Sequence, residues 1–434
     1  MTRTYDCIIV GAGLAGATAA ETLSVHGRKV LVLEARERPG GRGFSRAFGN
    51  SGEVVDFGGS WVTPWHHRIR SRCATHGIAL RPRHPVTERR WFRDGALHRD
   101  GPVAAGDRAA HESALARMAA HSALLKSGLK TDHHGFDITD KSLSSYLDAI
   151  NAPQATRDLV SAWWTVSGNG DKTRVPASEF LHSIAYWDGT PDGMCEVWAD
   201  TLVGGVHALA AKMLAASGAE ILHEAPVARV AHGGDGVSVT LRDGRVFAAK
   251  SAILATGINP LGQIVFDPPL PGLKKAGQEA GHLGRAVKIW AKIEGVPVGI
   301  VATGGGSGIE WMFTERATPD GAALAVGFGV AANGYVPDMP ADIEAAVARF
   351  FPEGRLLTWD WHDWNGDAYA RGTWVAALLG QPQLHDAETW SPLGRLAFAS
   401  SDIASDQAGW FEAAIISGEA AAAAVASANP SRKD

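Results

Sequence analysis

The chain opens on a clear change of hydrophobic rhythm. Tyr5–Val10 is a short unbroken apolar run, YDCIIV, suited to a strand buried on both faces. Glycines at positions 11, 13 and 16 follow at once, and then comes ATAAETLSVHG, a small-residue stretch that predicts a helix stopped at Gly27. A second apolar run, Lys29–Leu33, ends at Glu34. Further along, AAHESALARMAAHSALLKSG, SLSSYLDAI and DIEAAVARFF carry helical spacing, while AVKIWAKIEG and ALAVGFGV predict strands. The pattern is that of an α/β protein with an added mixed α+β part.

The turn Gly11-Ala12-Gly13-Leu14-Ala15-Gly16 has a physical task at each glycine. Gly11 permits the tight turn, Gly13 lets the backbone approach a pyrophosphate, and Gly16 lets the helix sit close on the strand. The helix N-terminus then offers free N–H groups and the positive end of its dipole to phosphates. Glu34, at the end of the second strand, is placed to accept hydrogen bonds from a ribose diol. A strand, this turn, a helix and a strand-terminal acid together predict a dinucleotide site, without choosing between NAD and FAD.

The continuation chooses. Glu34-Ala35-Arg36-Glu37-Arg38-Pro39-Gly40-Gly41-Arg42 resembles the "LEA-x-x-x-x-GGR" extension of flavin-containing amine oxidases, the monoamine oxidase and polyamine oxidase group. Asp56-Phe57-Gly58-Gly59-Ser60-Trp61 is similar to that family's "D-x-G-[GA]-x-W" segment, which runs beside the isoalloxazine ring. Ala225–Val230 resembles the strand whose valine backbone, here Val227, meets the adenine, and Ser251–Gly257 resembles the ATG-type strand and turn that contains Thr256. Phe398-Ala399-Ser400-Ser401-Asp402 and Gly409-Trp410-Phe411-Glu412-Ala413-Ala414 resemble the family's ending. The departures are Ser400-Ser401 for a glycine-containing pair and Ala413 for a glycine.

The resemblance implies a Rossmann-like FAD-binding domain of the GR2 type with a discontinuous α+β substrate-binding domain. Residues 1–85, 200–262 and 360–434 would form the first, and 86–199 and 263–359 the second. FAD would be held by Gly11, Gly13, Ala15, Gly16, Glu34, Ala35, Arg36, Gly41, Arg42, Gly58, Gly59, Ser60, Trp61, Val227, Thr256, Asp402, Trp410, Phe411 and Ala414. Arg42 would make a charge-assisted contact to diphosphate or flavin, Asp402 would reach the ribityl-diphosphate region, and the helix after Trp410 would aim its dipole at flavin N1/O2.

Oxidising an amine this way takes hydride from the carbon next to nitrogen, with the nitrogen neutral so that its lone pair stabilises the iminium. A dry aromatic site disfavours the ammonium form. The resemblance places Trp374 and Trp410 as the two aromatic walls around that nitrogen. Lys288, a lysine inside the apolar run AVKIW, corresponds to the family lysine that holds a water near flavin N5. Thr373 stands where some relatives carry the cysteine bonded to flavin, so non-covalent FAD is expected.

Composition adds limits. A net charge of −5 over 434 residues argues against nucleic acid or an anionic membrane surface as partner. Three scattered cysteines fit a reducing, cytoplasmic setting, and no uninterrupted apolar run reaches the roughly 18 residues of a membrane span. Fifteen tryptophans against five tyrosines suggest rings beyond ordinary core packing, lining a cavity or covering cofactor. Trp163, Trp164, Tyr186 and Trp187 are cavity-wall candidates or plain core. His66-His67 lacks a third metal ligand and suits a helix start, Arg81–Arg93 suits a solvated hairpin, and Gly304–Gly308 a turn.

The expected partners are a small-molecule amine and either O₂ or a protein electron acceptor, with the oligomeric state, a homodimer included, left open. The two-tryptophan wall favours a bulky or heteroaromatic, alkaloid-like amine. The alternatives are an L-amino-acid oxidase, a flavin desaturase or isomerase of the same superfamily, and a flavin-binding protein without turnover.

Overall fold

The computed structural model describes residues 4–49, 53–186, 200–304, 308–331, 337–404 and 407–428. The opening apolar run is β1 (Thr4–Val10), flanked in parallel by β2 (Val30–Leu33) and the strand Val246–Leu254. Glu220–Leu222 extends this sheet beyond β2, and Leu396–Phe398 lies parallel to Val246–Leu254. Gly236–Leu241, Val227–Gly233 and Val265–Asp267 complete it. The last of these strands lies past residue 262, so the sheet runs beyond the boundary expected from sequence, because the open edge of Val227–Gly233 takes it up in parallel.

One face of the sheet, with Cys7, Ile9 and Val32, packs on α1 (Leu14–Val25) and on the helices Val206–Ser217 and Phe411–Ala428. The other face, with Ile8, Val10 and Leu31, is covered by Val230, Val239, Phe266 and Trp390. Burial on both faces is why β1 and β2 show no polar alternation. The helix Phe411–Ala428 spans 18 residues with a mean hydropathy of 1.3, so by length and composition it could cross a membrane, a feature hidden by Glu412 and Glu419 in the sequence. Its small residues have another cause: a Cβ at Gly418 would strike the Ala15 carbonyl oxygen and lie 2.9 Å from Thr18 Cβ. The helix is seated directly on α1.

The second sheet runs Arg355–Trp361, Ala286–Glu294, Ala323–Val330, Ile309–Ala317, Ile300–Gly304, Glu88–Arg93 and Ala96–His98. Its pairings are antiparallel except between Ile300–Gly304 and Glu88–Arg93. Ile289, Ile293, Ala302 and Met312 point to the helix Met339–Phe350. The opposite face is aromatic: Trp290, Trp311, Phe313 and Phe328 pack with Phe57 and Trp61. Lys288 is two residues before Trp290 and shares that face.

Helices Arg108–Lys126, Leu143–Ala149, Gln154–Ser167 and Ala177–Tyr186 pack around Tyr146, Trp163, Trp164 and Phe180. Ser142 caps the second of them, its Oγ accepting from Ser145 N–H at 3.1 Å. Trp164 is a core residue, donating from Nε1 to the Gly170 carbonyl at 3.1 Å. Trp163 is equally buried and borders a second cavity, with Trp91, Leu159 and Thr303. Trp187, the side chain of Tyr186 and residues 305–307 lie outside the described residues. The arginine-rich segment does form a hairpin, yet Arg90 is only 2% exposed. It donates to Glu88 at 2.8 Å, to Glu353 at 2.5 Å and to the Phe350 carbonyl at 3.0 Å. Solvation is therefore the wrong description of that arginine, which ties the hairpin to the helix Met339–Phe350.

Candidate active site

A cleft open to solvent runs from the β1–α1 turn to the aromatic face of the second sheet. Gly11, Gly13, Ala15, Glu34, Ala35, Arg36, Gly41, Arg42, Gly58, Gly59, Val227 and Thr256 line one length of it. Lys288, Trp374, Trp410, Phe411 and Ala414 line the other. Four expected site residues, Gly16, Ser60, Trp61 and Asp402, stand behind the lining.

The nucleotide half is shaped by backbone. Gly11 has φ +107, and a Cβ there would lie 2.6 Å from the Ala255 carbonyl oxygen. A Cβ on Gly16 would collide with the Gly11 carbonyl oxygen, so this glycine brings α1 against the turn. Gly13, by contrast, faces open space. The Glu34 carboxylate is aimed by two backbone donors, Ala12 N–H on Oε2 and Arg36 N–H on Oε1, each at 2.8 Å, and retains acceptor capacity. Thr256 Oγ1 is buried on the cleft wall with no protein partner. Open glycine backbone, an aimed carboxylate and an unpartnered hydroxyl suit a dinucleotide diphosphate and ribose. The sequence reading missed Tyr369, whose ring lies 5.5 Å from the Arg36 guanidinium and 5.7 Å from that of Arg242, all three at this end. It also missed Trp364, which donates to the Phe57 carbonyl at 2.9 Å.

At the other end, Lys288 Nζ donates to the Gly58 carbonyl at 2.8 Å and to Ser60 Oγ. It lies 5.4 Å from the Trp61 ring centre and 5.7 Å from those of Trp290 and Phe328. Burial pushes this ammonium down to about 8, with Asp56 and Glu315 partly opposing the shift. Burial likewise raises Asp56 to about 6. Ser60 and Trp61 thus act on Lys288 from behind.

Trp374 and Trp410 are brought together by Gly409, whose φ of +86 lets the chain pass with a notional Cβ 3.1 Å from Trp374 Cβ. The His66 ring packs 5.2 Å from Trp410, and its Nδ1 accepts from Thr63 N–H at 3.1 Å. Burial holds His66 down to about 4, so it is neutral at pH 7. His66 is indeed the residue preceding the helix His67–Thr75, and two backbone N–H groups of that helix's first turn, Arg68 and Ile69, are capped by Glu412 at 2.8 and 3.0 Å.

Asp402 is fully buried and lies outside the cleft lining. It pairs with Arg42 Nη2 at 2.7 Å and accepts from Ile258 N–H at 3.1 Å, with His282 Nε2 3.8 Å away. Burial raises its carboxyl, but Arg42 and His282 outweigh that and hold it below the usual range. Arg42 also donates to the Thr373 carbonyl at 2.5 Å and to Ser401 Oγ at 3.2 Å. The two serines that replace the family glycine have work here: Ser401 receives Arg42, and Ser400 Oγ accepts from Asp402 N–H at 3.2 Å.

The family model for flavin containing amine oxidoreductases matches residues 14–426. The chain belongs to that family. It is an oxidoreductase acting on amines, and its cofactor is FAD. An (S)-6-hydroxynicotine oxidase of Paenarthrobacter nicotinovorans is 31% identical over 431 residues, covering 97% of this chain and 99% of the relative. A pseudooxynicotine dehydrogenase of Pseudomonas sp is 27% identical over 444 residues, with 98% and 86% covered. The solved structure of cyclohexylamine oxidase from Brevibacterium oxydans IH-35A superposes with a TM-score of 0.83 at 22% identity, covering 98% of this chain and 99% of that one, and shows the shared fold.

Proposed function

We propose that the substrate of this flavin amine oxidase is a bulky, apolar or heteroaromatic amine of the alkaloid kind, oxidised at its C–N bond to an imine that water then hydrolyses. The carrying observation is the make-up of the cleft: Glu34 alone is acidic among the described lining residues, and it sits at the nucleotide end. The reacting end offers tryptophan walls and the Lys288 ammonium, which repels a slim polycation and suits a flat, neutral amine. Two relatives that match over 97% and 98% of this chain are named for (S)-6-hydroxynicotine and pseudooxynicotine. Arg90, the buried arginine of the hairpin, is already paired with Glu88 and Glu353 and does not line this cleft, so it offers nothing to the carboxylate of an amino acid.

When bound, FAD supplies the hydride acceptor at its N5. In this reading the β1–α1 turn and Arg42 hold its diphosphate, Glu34 its ribose, Val227 its adenine side, and the start of the helix Phe411–Ala428 its ring. Trp374 and Trp410 wall the amine, and Lys288 assists reoxidation by O₂ or a protein acceptor. The division into an FAD-binding and a substrate-binding domain, and a cytoplasmic setting with Cys7 and Cys73 as buried thiols, belong to the same reading.

An anaerobic amine panel, scored by bleaching of the visible flavin band, tests the substrate class. Nicotine-like and other cyclic secondary amines are expected to bleach it; bleaching by putrescine or spermidine alone sinks the reading. Thr373 carries a hydroxyl, and its Oγ1 already accepts from Ala286 N–H at 3.0 Å. Acid precipitation should therefore release all yellow colour to the supernatant, and a yellow pellet would show a covalent link.

A further inference from the structure

We infer that Asn169, in the substrate-side insertion, is a positioning residue that sets the Trp374 wall and the strand carrying Lys288 in one register. The inference rests on the amine-oxidase reading of that wall. Asn169 is completely buried, just past the end of the helix Gln154–Ser167. Its Nδ2 donates to the Trp374 carbonyl at 2.9 Å. Its Oδ1 accepts from Thr373 Oγ1 at 3.3 Å. A carbonyl can only accept, so the amide's orientation is fixed by Trp374. Thr373 Oγ1 in turn accepts from the N–H of Ala286, the first residue of the strand Ala286–Glu294. One side chain therefore grips the backbone of Trp374 directly and the Lys288 strand through one hydroxyl.

The surroundings leave this amide no slack. A Cβ at Gly168 would run into the Trp164 ring, and Gly170, at φ +92, passes within 3.2 Å of Ala376 Cβ by the same test. A Cβ at Gly284 would strike the Trp374 carbonyl oxygen and lie 2.8 Å from Asn169 Oδ1. A second staple from the same insertion, Ala377 N–H donating to Glu179 Oε1 at 2.7 Å, holds the chain just after Trp374. Buried amides this enclosed are costly to leave unpaired, and both ends of this one are used on wall residues.

The test uses FAD-loaded Asn169→Asp, Asn169→Ala, Thr373→Val and the double variant Asn169→Ala/Thr373→Val. Two signals are read: visible circular dichroism of the flavin band, and the limiting anaerobic rate of flavin reduction by an amine that bleaches the wild type. Asn169→Asp puts a carboxylate against the Trp374 carbonyl. It should slow reduction by about tenfold or more with FAD content intact and the dichroism altered. Lowering the pH should return its rate toward wild type, because the introduced carboxyl, once protonated, donates again. Thr373→Val should cost less, and the double variant no more than Asn169→Ala alone.

Wild-type rates and dichroism in both Asn169 variants, or strictly additive effects, overturn the inference. If neither Asn169 variant retains FAD, Thr373→Val decides, and an unchanged dichroism and rate in it overturns the inference too. If no amine reduces the wild type, the amine-oxidase reading falls, while the dichroism still tests Asn169 on its own.

Discussion

Lys288→Met is expected to leave a folded, FAD-loaded protein whose reduced flavin is reoxidised roughly 10²–10³-fold more slowly than in the wild type. An electron passed to O₂ creates an anion, and the Lys288 ammonium is the cation positioned at that end of the cleft. Methionine matches the lysine stem and suits the rings of Trp61, Trp290 and Phe328 around it. Removing the charge relieves its own desolvation but takes a cation from the buried Asp56 and Glu315 and a donor from Gly58 and Ser60, so the thermal midpoint should fall while the protein stays folded. A pH signature accompanies this. The group titrates near 8, so wild-type reoxidation should slow as pH rises through that value and the ammonium loses its proton. The methionine variant should show no such step. Stopped-flow mixing of reduced enzyme with oxygenated buffer between pH 6 and 10 reads both effects, and an unaltered rate or a surviving step near 8 excludes the role.

Arg42→Ala should be the most destabilising single change at the nucleotide site, costing about 3–5 kcal/mol, because it strands the fully buried Asp402 carboxylate. Asp402 is held below its ordinary value in the native protein. Its ionised form therefore contributes stability above the unfolded carboxylate value of about 3.9, and that contribution is lost as pH falls below it. Without Arg42 the burial penalty dominates and the sign reverses: the variant should gain stability, relative to wild type, as the pH is lowered from 7 to 5. Arg42→Ala/Asp402→Asn should recover most of the lost stability and still bind FAD weakly, since Arg42 lines the cleft. Denaturant melts at the two pH values, with FAD content measured alongside, separate these outcomes. Equal stability of the single and double variants would show that the pair carries no weight.

What the sequence disclosed and what it concealed follow from distance along the chain. The turn from Gly11 to Gly16, Glu34 and the Gly40-Gly41-Arg42 extension were legible because each acts through local backbone geometry. Lys288 was legible because a lysine inside an apolar strand is chemically conspicuous. Asp402 was placed against the cofactor, but its side chain turns to Arg42, far back near the start of the chain, and no spacing rule reports such a pair. Arg90 looked solvated in a run of arginines until Glu353 and the Phe350 carbonyl closed around it. Asn169 and Tyr369 offered no pattern at all, and Glu412 stood in a matched segment without a role: an amide, a phenol and an acid acquire meaning only when distant segments meet.

The seating of Gly418 on Ala15 carries a consequence for how the protein is made. The flavin cleft draws walls from both the first and the last stretches of the chain, and the long alanine-rich helix locks those two stretches together. The cleft therefore cannot close until the helix Phe411–Ala428 has been made and seated, and until then the side of α1 that it covers stays exposed. Cofactor capture should therefore follow the docking of that helix instead of guiding the earlier stages of folding.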